Sequence, residues 1–390
     1  MDTKHRAQAL RTAIAELRTT IAERAGEVEA ARRLPIDLLD QLKAAGLFRM
    51  FVPRSHGGHE IELIDGLAVI EELARIDGAT AWTVMIGAQT PHLLAMLPAS
   101  KFDRIYAAGP DVVAAGAMAP HGRARPDGGG YVVDGRWSFA TGCQHSDWLY
   151  GNCVIADERG RSRGTAGDAP PTLRTMVFPA RDGRIIEHWN VLGMRGSGSH
   201  DIAVEELFVP EAYAFDAMAC TPCVPSPHFV EPPLHIHLQL AAVAVGIAMG
   251  SVDDLIAIAA SGKKRLYAKE ALSASPRFHH QVGNVLAEVR AARAWLRDLA
   301  ARFWALCLED RPAAKAMTGE ILGATSWVVH AASDVVTACY RAAGSGAIRD
   351  GAILQRRFRD AHVLTQHIAA TDGWITQMGA GALGAAVHVG

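Results

Sequence analysis

GRWSFATGCQHSDW, residues 135–148, opens like a strand and then stops behaving like one. By the period-two alternation of a strand, Trp137, Phe139 and Thr141 fall on one face, with Ser138 and Ala140 on the other. The first face joins an aromatic wall to a hydroxyl, and Gly142 follows with an unobstructed backbone N–H. Such a surface suits a flat heterocycle: stacking holds the ring and short donors read its rim. Thr141, rather than Cys143 or His145, is the residue placed to touch that rim.

The surrounding sequence has a β texture. From Val112 to Pro210, runs such as YVV, RWSFA, DWLYGNCVI, TMVFPA, RIIEHW and IAVEELFVP alternate with turn signals. About seven strands in this stretch predict a compact antiparallel barrel or sandwich. Asp134-Gly135 is the pair a tight two-residue hairpin prefers, because glycine tolerates positive φ. Residues 157–172 read as a polar loop. Helical patterns lie on both sides. The N-terminal side includes residues 6–31, a helix entered at Pro35 and stopped at Gly46, the stretch 62–77, and a helix from Thr80 to about Leu97. On the C-terminal side Val282, Val285, Val289, Ala292, Leu296, Leu299, Phe303 and Leu306 repeat in steps of three and four, the seam of a helix in a bundle. Arg290, Arg293, Arg297 and Arg302 fall off that seam, on a solvated or intersubunit face. The expected organisation is a helical domain over 1–111, a β domain over 112–225 and a helical bundle over 226–390.

A net charge of −2 provides no basic field for nucleic acid. The N-terminus is amphipathic and charged throughout, unlike a secretory signal. Residues 232–252 carry no Asp, Glu, Lys or Arg. Their two leading prolines, their His and Gln residues and their Ala/Gly content fit a buried helix rather than a membrane span. Six cysteines without an export signal fit reduced thiols in a cytoplasm.

Several chemistries are closed off. Cys220 and Cys223 in CTPC, with His228, His235 and His237 beyond, superficially suggest zinc, but neither finger nor ribbon spacing is met, so no metal is expected. No Gly-x-Gly-x-x-Gly follows a strand and opens a helix. The GSGSH at 196–200 lacks a phosphate-loop lysine, and no Gly-x-Ser-x-Gly elbow occurs. Three segments remain: GRWSFATG, LGMRGSGSHDIAVEELFVP (192–210), where Gly196, Ser197 and Gly198 admit a close approach, and RDAHVLTQHIAAT (359–371). On one helix His362 and His367 would point about 140° apart, so at most one of them faces a site.

Together these segments resemble the acyl-CoA dehydrogenase superfamily, as does the opening LPIDLLDQLKAAGLFRMFVPRSHGG (34–58). The resemblance implies an α+β fold: an N-terminal all-α domain, a central antiparallel β-barrel or sandwich and a C-terminal four-helix bundle, usually assembled as a homotetramer. It also implies a flavin laid against the strand at Trp137, Phe139, Thr141 and Gly142, with Ser197 and His367 nearby and Arg265 as a candidate for the flavin phosphate. The commonest members remove the thioester α-proton with a Glu. Here the corresponding position falls on Ile368, beside His367, and the base is missing.

That departure resembles the two-component (group D) flavin-dependent monooxygenases of the superfamily. They take reduced FMN or FAD from a separate reductase and use O2, through a flavin hydroperoxide, to oxygenate small aromatic or heterocyclic molecules. In this reading Thr141 meets the flavin N5 edge and His367 acts on the hydroperoxide or as acid/base. His92 is a further catalytic candidate, equally at home as a packed helix-end histidine, and Trp82, Gln89 and His92 line the substrate. The alternatives are an acyl-CoA dehydrogenase with a displaced base (Asp350 or Asp372), an N-oxygenase of an amino substrate, and a non-enzymatic or metal-binding member of the fold.

Overall fold

The computed structural model describes residues 2–156, 171–217, 221–264 and 269–385. The chain begins with α1 (Thr3–Ala31), α2 (Ile36–Ala44), α3 (Leu63–Ile76), α4 (Gly78–Ala88), α5 (Thr90–Leu94) and α6 (Ala99–Tyr106). α1 buries Leu10, Ile14, Ile21 and Val28 along one stripe. α2 starts just after Pro35, and Gly46 follows it at φ +80°, a left-handed conformation that glycine adopts freely. The helix expected from Thr80 to Leu97 is two helices. Pro91 has no N–H to extend α4, so the chain breaks at Gln89 and restarts as α5 with Pro91 in its first turn.

The middle of the chain forms β1 (Ala114–Asp127), β2 (Gly130–Ala140), β3 (Trp148–Ile155), β4 (Leu173–Pro179), β5 (Arg184–Ile186), β6 (His200–Pro210) and β7 (Ala214–Phe215). They make one sheet in the order β5-β6-β2-β1-β3-β4-β7. It is mixed rather than wholly antiparallel, because β1 and β3 run parallel. Residues 141–147 carry the chain from the end of β2 past the start of β1 to begin β3, and Asp147 N–H donates to Val113 O at 2.8 Å. A second expectation fails here as well. Asp134-Gly135 lies inside β2, and the hairpin turns at Gly128 and Gly129, both with positive φ. Gly135 is needed for space instead. Together with Gly122 and Gly151 it makes room for the Trp137 indole, which a Cβ at any of the three would strike. The polar loop at 157–172 falls largely outside the described residues.

The remainder is helical: α7 (Pro232–Ala260), α8 (Pro276–Glu309), α9 (Arg311–Ala316), α10 (Thr318–Ala343), α11 (Ile353–Leu364) and α12 (Asp372–Ala382). α7 is apolar and long enough to cross a membrane, yet two-thirds of its apolar window (67%) is buried inside the protein. Its Gly246 lets it approach Ala74 and the Glu71 carbonyl of α3. α8 buries the expected seam from Val285 to Phe303. The arginines beside that seam are not all a solvated face. Arg293 and Arg297 converge on the buried Glu71 carboxylate at 2.7 and 3.1 Å, tying α8 to α3, while Arg302 pairs with Asp298 and Glu320.

Candidate active site

The strand alternation breaks at Phe139. Its φ of +67° is a left-handed conformation that is costly for a bulky side chain, and the pairing of β2 with β6 shifts register between Trp137 and Ala140. Trp137 is therefore turned into the sheet core, where its Nε1–H donates to Asn152 O at 2.8 Å. It offers nothing to a ligand on the surface, contrary to the one-face reading. Phe139 points the other way, 71% exposed, with Trp189 edge-on at 6.0 Å. The N–H of Thr141 donates back to Phe139 O at 2.9 Å. Gly142 has its N–H committed to Ser197 O at 3.1 Å, so it is not the free donor its sequence suggests. Cys143 is buried and His145 half-buried, and desolvation raises the Cys143 thiol to about 12 and lowers His145 to about 4.

Thr141 is the end of a ladder of hydroxyls. Its Oγ1 lies 2.8 Å from Ser199 Oγ, which lies 2.8 Å from Ser197 Oγ. Trp82, from α4, donates its indole N–H to Thr141 Oγ1 at 3.1 Å. The same indole meets the His367 ring edge-on at 5.5 Å. Three of the expected site residues, Trp82, Thr141 and His367, thus come together from three parts of the chain, with Ser197 two hydroxyls further on.

His367 does not share a helix with His362. α11 ends at Leu364, and His367 adopts extended backbone angles beyond it. His362 packs inside the bundle against Phe358 and Thr337. The Nδ1 of His367 accepts the Ala369 N–H at 3.1 Å. Its proton therefore resides on Nε2, so the neutral ring presents a donor away from the backbone. Burial, with a smaller push from His237, lowers its pKa to about 4. Ile368 beside it is 70% exposed. Asp350 accepts from Gln355 and Asp372 begins α12. Neither carboxylate takes a described contact with Trp82, Thr141 or His367.

The GSGSH loop approaches its own chain closely. A Cβ on Gly196 would strike Val28 of α1, and one on Gly193 would strike the Arg359–Asp360 backbone of α11. Met194 N–H donates to Asp360 Oδ1 at 2.5 Å, and Arg359 pairs with Glu29 of α1. The loop that carries Ser197 and Ser199 is therefore clamped between the first helix and the last part of the bundle.

Gln89 and His92 take their contacts elsewhere. Gln89 donates to Gln239 Oε1 at 2.8 Å. His92 is fully buried among Phe51, His228, Phe229 and His235, and desolvation depresses it to about 3. Arg265 and Cys220 lie outside the described residues. Ser199 and Trp189 escaped the sequence reading, and His237 entered it only beside the CTPC pattern. The HIH spacing did hold a clue to His237, because residues two apart on a helix face opposite sides, one inward and one toward His367.

Comparison with known proteins adds the family. Residues 3–97 match the acyl-CoA dehydrogenase N-terminal domain model and residues 238–372 the acyl-CoA dehydrogenase C-terminal domain model. The indole-3-acetate monooxygenase of Pseudomonas putida is 31% identical over 361 residues, covering 92% of this chain and 89% of that protein. The HsaA oxygenase subunit of a flavin-dependent monooxygenase from Rhodococcus jostii is 29% identical, covering 90% and 91%. Among solved structures, XiaF from Streptomyces sp., in complex with FADH2 and glycerol, superposes with a TM-score of 0.89 at 21% identity, covering 99% of this chain and 98% of that one. The same architecture, the matched domains and these relatives place the chain in the acyl-CoA dehydrogenase family, among its flavin-dependent monooxygenase oxygenase components.

Proposed function

We propose that this protein is the oxygenase of a two-component system. It takes reduced FMN or FAD from a separate reductase and, with O2, oxygenates a small aromatic or heterocyclic molecule. The observation that carries this reading is the meeting of Trp82, Thr141 and His367 beside the exposed Phe139 and Ile368. An aromatic shelf edged by hydroxyls and a neutral imidazole fits a flavin ring and its polar rim. Bound there, reduced flavin would supply the activation of O2. The chain's own residues do the rest: Phe139 and Trp189 pack a ring face, Thr141 hydrogen-bonds its edge, and the Nε2–H of His367 holds a proton at the reacting side. By the resemblance, Ile368 falls where a thioester dehydrogenase would need its carboxylate. Names among the relatives, an acetate-bearing indole in one and p-hydroxyphenylacetate in another, support an aromatic substrate. Assembly as a homotetramer and a cytoplasmic setting belong to the same proposal. Exposed Ile256, Leu308 and Trp327 on the bundle helices suit an interface.

The test supplies the protein anaerobically with reduced FMN or FAD, then 18O2 and a panel of indoles and phenols. One 18O atom in the product is the expected result. A tightly held oxidised flavin that acyl-CoA bleaches, with no labelled product, would return the protein to the dehydrogenases.

A further inference from the structure

Three histidines that the proposed oxygenase site does not use meet in the interior. His92 comes from α5, His228 from the 3-10 turn before α7 and His235 from the first turns of α7, and one nitrogen from each lies within 4.8 Å of the others. Their ring centroids form a near-equilateral triangle with sides of 5.8, 5.5 and 5.8 Å. All three are buried among Phe51, Phe229, Phe303 and Trp304.

The hydrogen bonds set the tautomers of two rings. The Nε2–H of His228 donates to Ile61 O at 2.8 Å, and that of His235 to Val230 O at 3.1 Å. In each, Nδ1 is left as a bare lone pair with no partner among the described residues, and neither nitrogen of His92 has one. Unmatched nitrogens in an aromatic box are unfavourable as they stand, because buried polar groups are normally paired. A backbone carbonyl on the far nitrogen is also the arrangement that orients imidazoles bound to metals.

We propose that His92, His228 and His235 bind one divalent transition-metal ion, zinc in the first instance, which staples α5, the 3-10 turn and α7 together. Imidazole nitrogens suit zinc, and three of them leave a fourth position for water. Zinc–nitrogen bonds of about 2.1 Å require the three rings to draw inward from their present spacing. The Sγ of Cys307 lies 4.0 Å from His235 Nε2, the nitrogen already bonded to Val230, so it stands outside the ligand set. Cys223 takes no part either, and the site owes nothing to the CTPC pattern. The proposal is independent of flavin chemistry.

Chelator-treated full-length protein is incubated with ZnCl2, desalted and analysed for zinc, and titrated calorimetrically. One zinc per chain is expected, with affinity at least about tenfold lower in His92→Gln and His235→Gln. His280→Gln, on the exposed side of α8, leaves it unchanged. Zinc absent from the wild type, or held equally by the first two variants, overturns the site. If those variants do not fold, Co2+ added to the wild type decides alone. An intense visible d–d band marks a four-coordinate nitrogen site, and its absence overturns the proposal.

Discussion

The indole N–H of Trp82 ends on Thr141 Oγ1 at 3.1 Å, while the same ring meets His367 edge-on. One rigid side chain from α4 therefore sets the position of a hydroxyl from just past β2 and an imidazole from beyond α11. Replacing Thr141 by Val keeps the shape and removes the hydroxyl. Product formed per O2 consumed should fall by about tenfold, the scale of one hydrogen bond, and the thermal midpoint should drop by about 2–4 °C because the buried Trp82 N–H loses its acceptor. Trp82→Phe should give the same loss of coupling, measured with an oxygen electrode alongside product chromatography.

His367→Ala should leave flavin affinity intact and cut product formation by about 100-fold. His367→Gln retains a donor and should recover part of it. Equal turnover in wild type and His367→Ala would remove this residue from the chemistry.

Asp360 gives stability a pH dependence. Desolvation first, and then the charge of Asp77, raise its pKa to about 7. A carboxyl raised on folding favours the native state at low pH, and that advantage is lost as pH rises from its ordinary value near 4 through about 7. Asp360→Asn can still accept from Met194 N–H and carries no charge. Its urea midpoint should therefore exceed that of the wild type at pH 8, with the gap closing toward pH 4. A constant gap across that range would rule out Asp360 as the source.

At Gly196 an added Cβ meets Val28 and Ala79. Gly196→Ala should cost about 1–3 kcal/mol in denaturant unfolding and lower flavin affinity, because the same loop positions Ser197 and Ser199.

The exposed Trp327 of α10, which faces Trp295 of α8 at 5.2 Å, tests the assembly. For the proposed homotetramer, Trp327→Glu should shift the size-exclusion profile toward smaller species. An unchanged profile would exclude this face as an interface.

Much of the architecture was legible because it rests on periodicity. The seam from Val285 to Phe303 and the change to β texture after Val112 are patterns of single residues repeated many times. The errors came where one residue overrides a pattern. Pro91 divides a helix that hydrophobicity alone continues. Gly135 imitates a hairpin turn although its smallness is needed for the Trp137 ring. Phe139 leaves the alternation by adopting a left-handed conformation, so the aromatic wall read at 137 and 139 is divided between core and surface. Trp82, Thr141 and His367 carried recognisable sequence contexts. His228 and His235 stood out only beside CTPC, where the spacing fits no zinc motif; they meet His92 through tertiary packing, and no spacing along the chain records that.

The hydroxyl ladder has a further property. An indole can only donate, so Trp82 always occupies a lone pair of Thr141 and leaves one proton to be oriented. If Ser197 donates to Ser199 and Ser199 to Thr141, the threonine proton is free to point outward. If all three hydroxyls turn over, that proton is spent inward and the free one moves to Ser197. The row is thus a two-position relay that can present or withdraw a donor with no heavy atom moving. Its far end is embedded in the loop gripped by α1 and α11, so a disturbance at that junction reaches Thr141 as a change of proton direction rather than of shape.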